Sequence, residues 1–310
     1  MAIHRREFLI ASAASGLALP GLHAAEMVPK RPYNKEVNLS VIGFGGIVVM
    51  DLEQKEADRI VADAVARGVN YFDVAPSYGD GVAEEKLGLA LAPHRQNSFL
   101  ACKCERRDGE GARQQLEASL KRLRTDHFDL YQFHAVTSRK DVEQILAPGG
   151  AGELFLKARQ EGKVRHLGFS AHNEEAASAL MDQFQFDSVL FPVNYVNFAQ
   201  GHFGPGILAK AKAKGVARMA LKSMAFTTWK QGEAHTAYPN CWYRPIDDPA
   251  MARQALRFTL SEDITAAIPP GDPRLFQIAL AAAADLKPLT AAEREQLLAS
   301  ARGVAPIFSS

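Results

Sequence analysis

The chain has 310 residues, 47% of them apolar and 23% charged, with a net charge of +1. The apolar share fills a sizeable core and excludes a disordered chain, and the balanced charge excludes the basic face that a nucleic-acid protein needs to neutralise phosphates. Beyond the N-terminal segment no apolar run reaches the about 18 residues of a membrane span.

Residues 1–25 read as an export signal. A basic start is followed by a moderately apolar Ala/Ser/Gly/Leu centre and a small-residue end at Ala24-Ala25. Arg5-Arg6 before Glu7-Phe8-Leu9 resembles a twin-arginine signal, with His4 where Ser or Thr is more usual. The resemblance implies export of a folded protein through the twin-arginine machinery and a periplasmic or otherwise exported location, with no membrane span left after cleavage.

The body, residues 32–303, alternates strand and helix patterns. Asn38–Ile42 reads as a first strand, followed by Gly43-Phe44-Gly45-Gly46. Ala57, Ile60, Val61, Ala64 and Val65 share one helical face over 56–67, and Gly68 ends that helix. The same alternation predicts strands over 69–74, 98–103, 128–134, 164–170, 188–191, 216–221 and 266–268. Helices are predicted over 83–92, 112–124, 152–161, 174–184, 205–214, 249–259, 273–284 and 291–302. Eight units without a Pro/Gly-rich linker predict a single-domain (β/α)8 barrel, whose usual length is about 250 residues. An open doubly wound sheet would carry GxGxxG early, and Gly43-Phe44-Gly45-Gly46 lacks its third glycine.

Catalytic residues of a barrel stand at the C-terminal ends of its strands. Asp73 ends the second predicted strand, and Tyr78 lies in the loop after it. Lys103 ends the third strand and His134 the fourth. Ionisable groups in an apolar barrel mouth are costly unless paired, and these four can pair with one another. The three cysteines, Cys102, Cys104 and Cys241, are too few and too scattered for a metal centre or an iron–sulfur cluster, so neither is expected.

These segments together resemble the aldo-keto reductases. The matching pieces are Gly43–Gly46, Gly68–Asp73 through Tyr78, Glu84-Glu85-Lys86-Leu87-Gly88, Ser119–Leu123, Asp126, Asp129–His134 and Gly168-Phe169-Ser170, over residues 32–285. The resemblance implies reduction of an aldehyde or ketone by a reduced nicotinamide, with Tyr78 giving the proton. Lys103 beside it would lower the tyrosine pKa, Asp73 would hold Lys103, and His134 would orient the carbonyl oxygen. A small carbonyl substrate is the expected partner.

By the same resemblance, cofactor contacts fall on Gly45, Gly46, Ile47, Asp73, Ser170, Asn194, Leu221, Lys222, Ser223, Met224, Gly271 and Arg274. Three positions depart from the common pattern: Ala171 replaces an asparagine, Leu190 a glutamine and Leu221 an aromatic. Lys222 can reach a phosphate. In Ile268–Arg274 the helix starting near Pro273 would offer N–H groups to an anion, and Arg274 would take a 2′-phosphate, favouring NADP(H) over NAD(H). Asp272 opposes that preference. The long loop 226–248 carries Trp229, Tyr238, Cys241, Trp242 and Tyr243, and its aromatics are suited to covering an apolar substrate. A non-catalytic nucleotide-sensing or partner-binding barrel is the alternative reading.

Overall fold

The computed structural model describes residues 27–284 and 286–310. The segment read as an export signal lies outside the described residues.

Two short strands, β1 (Lys30–Pro32) and β2 (Asn38–Ser40), form an antiparallel hairpin. Eight parallel strands follow: β3 (Phe44–Gly45), β4 (Tyr71–Asp73), β5 (Phe99–Cys104), β6 (Phe128–Val136), β7 (Val164–Ala171), β8 (Ser188–Pro192), β9 (Ala217–Leu221) and, after a further hairpin, β12 (Ala266–Ile268). Each pairs with the next around the sheet, and β12 returns to the first strand by a parallel bridge between Ile42 and Ala267. The barrel is closed, which removes sheet edges. The hairpin before β12 joins β10 (Ala225–Thr228) to β11 (Tyr243–Pro245).

Helices α1 (Gln54–Ala66), α2 (Val82–Leu91), α3 (Gly109–Arg122), α4 (Arg139–Leu146), α5 (Ala151–Gln160), α6 (Glu174–Gln183), α7 (Pro205–Ala213), α8 (Pro249–Ser261), α9 (Pro273–Ala284) and α10 (Ala291–Ser300) complete the chain. In α1 the buried face is Ala57, Ile60, Val61 and Ala64, as its period predicts. Gly68 then turns the chain at φ +90°, a conformation that side chains rarely adopt.

Two expectations are corrected. Asn38–Ile42 is split: Asn38–Ser40 pairs back on β1, while Ile42 bridges Ala267 of β12 and leads the barrel wall into Phe44. The hairpin plugs the lower end. Leu39 and Tyr33 pack with Tyr71, Phe99, Ala101 and Leu130, and the Tyr33 hydroxyl donates to Ser188 Oγ at 3.1 Å. The stretch 139–146, unassigned from its periodicity, is α4. Ser138 and Asp141 form its capping box.

Strand alternation explains where the polar residues go. Tyr71, Phe99, Ala101 and Leu130 form an apolar cluster separate from the shell between strands and helices. Asp73, Lys103 and Gln132 follow at the same parity, so the same inner face turns polar at its upper end.

Candidate active site

Asp73 is the centre of a buried polar knot. Its Oδ1 is ion-paired with Lys103 Nζ, and its Oδ2 accepts from Gln132 Nε2 at 2.8 Å and from the Tyr71 hydroxyl at 3.3 Å. Asp73 is 2% exposed and Lys103 1%. Such a pair persists only when its remaining donors and acceptors are also satisfied, which Gln132 and Tyr71 do. Neither of those two was singled out in the sequence, although both sit at the inward parity of neighbouring strands.

Lys103 makes a second contact. Its Nζ lies 3.2 Å from the Tyr78 hydroxyl. Burial tends to lower the Lys103 pKa, but Asp73 and Tyr78 hold it above the ordinary lysine value. Tyr78 departs from expectation: its pKa is raised, because burial outweighs the opposing charge of Lys103 and Asp73 adds to the rise. The phenol therefore remains protonated at neutral pH.

His134 reaches the mouth through an irregularity. The register between β6 and β7 shifts between Phe133 and Val136, and Ala135 takes a left-handed φ of +50°. Ser170 Oγ accepts from Ala135 N at 2.8 Å, and Arg107 donates to the His134 carbonyl at 2.6 Å. The imidazole sits edge-on to the Tyr78 ring, 5.9 Å between centroids. Its Nδ1 is 3.4 Å from Glu105 Oε1, outside hydrogen-bonding geometry. Burial lowers the His134 pKa, with Glu105 opposing, so the ring is neutral at physiological pH.

These groups open onto one cavity of about 210 Å³ at the strand ends. Among the predicted site residues Asp73, Tyr78, Lys103, His134, Gly45, Ile47, Ser170, Leu221, Lys222 and Gly271 line it. Gly46, Asn194, Ser223, Met224 and Arg274 do not. Gly46 packs against Val74. Asn194 is buried and acts on backbone: it donates to the Lys222 carbonyl at 3.3 Å and accepts from Asn197 N at 2.8 Å. His172, Leu190, Asn240, Trp242, Tyr243 and Pro270 are further lining residues.

The segment after β9, read as a long loop over 226–248, contains the β10–β11 hairpin. Trp229 donates to the Cys241 carbonyl at 2.7 Å, and Asn240 reaches Asp51 across the mouth at 2.7 Å. Trp242 and Tyr243 are thereby brought over the cavity. Phe308, from the C-terminal residues, packs on both Trp242 and His172.

The anion site expected at the start of α9 is already filled by the chain. Asp272 Oδ1 accepts from Arg274 N at 2.9 Å and from Leu275 N at 3.4 Å, capping the helix. The Arg274 guanidinium forms a two-point pair with the same carboxylate, at 3.0 and 2.7 Å, and lies over the Tyr238 ring. Gly271 is required by packing, because a Cβ there would overlap Ile47.

A nicotinamide dinucleotide fits the donor set along one wall. Leu190, Leu221 and Ile268 offer an apolar surface, with Gly45 and Gly271 beside them in the lining. The Ser170 hydroxyl accepts from Ala135, leaving its hydrogen for a ligand amide. No helix of the described residues is long and apolar enough to cross a membrane.

Comparison with known proteins agrees with this geometry. The model of the "Aldo/keto reductase family" matches residues 41–242. An uncharacterized oxidoreductase, YqkF, of Bacillus subtilis is 23% identical over 270 residues, covering 78% of this chain and 86% of that protein. L-galactose dehydrogenase of Arabidopsis thaliana is 28% identical over 228 residues, 66% of this chain and 69% of the relative. Among solved structures, the holo form of aldo-keto reductase AKR11C1 from Bacillus halodurans superposes with a TM-score of 0.70 at 21% identity, over 90% of this chain and 98% of that one. The glycerol dehydrogenase AKR11B4 of Gluconobacter oxydans gives 0.66 at 19% identity, over 93% and 100%. Those two likenesses carry the barrel fold, and the family match spans well over half of the sequence: the chain is an oxidoreductase that belongs to the aldo/keto reductase family.

Proposed function

We propose that the protein reduces an aldehyde or ketone to an alcohol with NADP(H), and that Tyr78 is the proton donor. The observation that carries this reading is the contact of the protonated Tyr78 hydroxyl with Lys103, itself paired to Asp73, inside the cavity. A bound reduced nicotinamide supplies the hydride. The chain's residues supply the rest. Tyr78 gives its phenolic proton to the carbonyl oxygen as negative charge develops there. Lys103 then stands beside the phenolate that remains, and solvent reprotonates it. Asp73 keeps the ammonium in place. His134, neutral and edge-on to Tyr78, donates to the same oxygen and orients it.

Gly45, Ile47, Ser170, Leu190, Leu221 and Ile268–Gly271 would hold the dinucleotide. The preference for NADP(H) rests on Arg274, more than half exposed, turning from Asp272 toward a 2′-phosphate. With all four polar residues assembled, no feature of the site favours a purely nucleotide-sensing barrel. Oxidation of NADPH, followed by absorbance across a panel of aldehydes and ketones, tests the reading. Binding of the nucleotide without oxidation by any carbonyl compound would sink it.

We also propose that residues 1–25 direct export by the twin-arginine route, on the strength of Arg5-Arg6 and the weakly apolar stretch behind it. N-terminal sequencing of protein recovered from the periplasm checks this. An intact Met1 or Ala2 terminus there would refute cleavage.

A further inference from the structure

The cavity holds a cation that the proton chemistry does not use. Lys222 follows β9 and takes a left-handed φ of +66°, unusual for a residue with a long side chain. Its carbonyl is fixed by Ala225 N at 2.9 Å and by Asn194, so the backbone around it is held in that geometry. Its ammonium lies over the faces of Tyr243, at 4.7 Å, and Trp242, at 5.2 Å. Among the described residues no carboxylate pairs with it. Burial pushes its pKa down to about 8, with Lys103 adding to the fall.

Its neighbours belong to the proton-donating side. Lys222, His134 and Lys103 all depress His172, which also lines the cavity. Arg274, by contrast, is engaged with Asp272, Tyr238 and the Ala237 carbonyl. Asp73 is the sole acid of the lining, and it is already saturated by Lys103, Gln132 and Tyr71. With both histidines neutral, the lining carries two ammonium groups, Lys103 and Lys222, against one carboxylate that is already committed to Lys103. A half-buried cation facing aromatic rings in a cavity, with no carboxylate partner among the described residues, keeps an unmet demand for an anion.

We propose that Lys222, with His172 beside it, is the anion-recognising part of the substrate pocket, and that the carbonyl substrate bears a carboxylate. Trp242 and Tyr243 cover the apolar body of that substrate while Lys222 takes its acid group. This rests on the reductase reading above and names the substrate class for it.

The test compares 4-carboxybenzaldehyde with 4-methylbenzaldehyde, which differ in charge and little in shape. Wild-type protein is expected to show a kcat/KM about tenfold or more higher for the acid. In Lys222→Met that ratio should collapse toward one, and Lys222→Arg should restore much of it. Equal kcat/KM values in the wild type would overturn the proposal. So would a Lys222→Met variant that loses affinity for NADPH while keeping the acid-over-neutral ratio, since Lys222 would then serve a cofactor phosphate. If neither aldehyde is reduced, the reductase reading stands or falls on the broader carbonyl panel. Benzoate binding by calorimetry then decides the subsite: weaker binding to Lys222→Met supports it, and equal binding to both proteins overturns it.

Discussion

The Tyr78 hydroxyl stands 3.2 Å from Lys103 Nζ, and the same ammonium is ion-paired with Asp73. One buried lysine thereby joins the end of β4 to the loop that follows it. Because Asp73 and Lys103 are both almost fully buried, neither charge can fall back on water.

Removing one member of that pair is expected to be worse than removing both. Lys103→Met leaves the Asp73 carboxylate buried with only Gln132 and Tyr71 as donors, and should lower the unfolding free energy by about 3–5 kcal/mol. The double variant Asp73→Leu, Lys103→Met should be more stable than either single variant, though inactive. Urea denaturation of the three proteins checks the order. A double variant that is the least stable of the three would contradict it.

Acid should weaken the fold through its histidines. Burial, reinforced by Lys222, His134 and Lys103, holds His172 at about 3, and burial also lowers His134. Their folded values lie below the unfolded one of about 6.5, so the unfolded chain binds more protons between the two. The stability they contribute is complete above that unfolded value and is lost as pH falls toward the folded value. His172→Gln should therefore lose about 1–2 kcal/mol less than the wild type between pH 7 and pH 5. Parallel denaturation curves at the two pH values read this, and identical losses would count against it.

Much of the barrel was legible because its strands and helices each carry one clean period. The exceptions have local causes. Asn38–Ile42 looks like one strand, but its start pairs with β1 and its end, Ile42, bridges Ala267 to close the barrel. The four catalytic candidates were readable because each ends a strand or follows one. The local backbone beside His134 was not, since the register shift between Phe133 and Val136, where Ala135 N donates to Ser170 Oγ, leaves no mark on the periodicity. Asn194 shows the limit of matching by position: it is near the site in sequence, yet it holds Lys222 and Asn197 backbone instead of lining the cavity. Asp272 was read as repelling a phosphate; in the fold it also occupies the helix start that the phosphate was expected to use.

Cofactor preference should turn on the Asp272–Arg274 pair. Asp272→Asn keeps a capping side chain at the start of α9 and frees the guanidinium, so NADPH affinity should rise. Arg274→Ala should weaken NADPH by about tenfold and NADH little. Dissociation constants for both nucleotides check this. Tighter binding of NADH than NADPH by the wild type would overturn the preference.

The central claim is that Tyr78 gives the proton. Tyr78→Phe keeps the ring against His134 and removes the hydroxyl, leaving the Asp73–Lys103 pair intact. The direct measurement is single-turnover oxidation of bound NADPH by an aldehyde in wild-type and Tyr78→Phe protein. The account predicts a fall of about 10²–10⁴ in that rate with nucleotide affinity retained. A variant that turns over at the wild-type rate would contradict it.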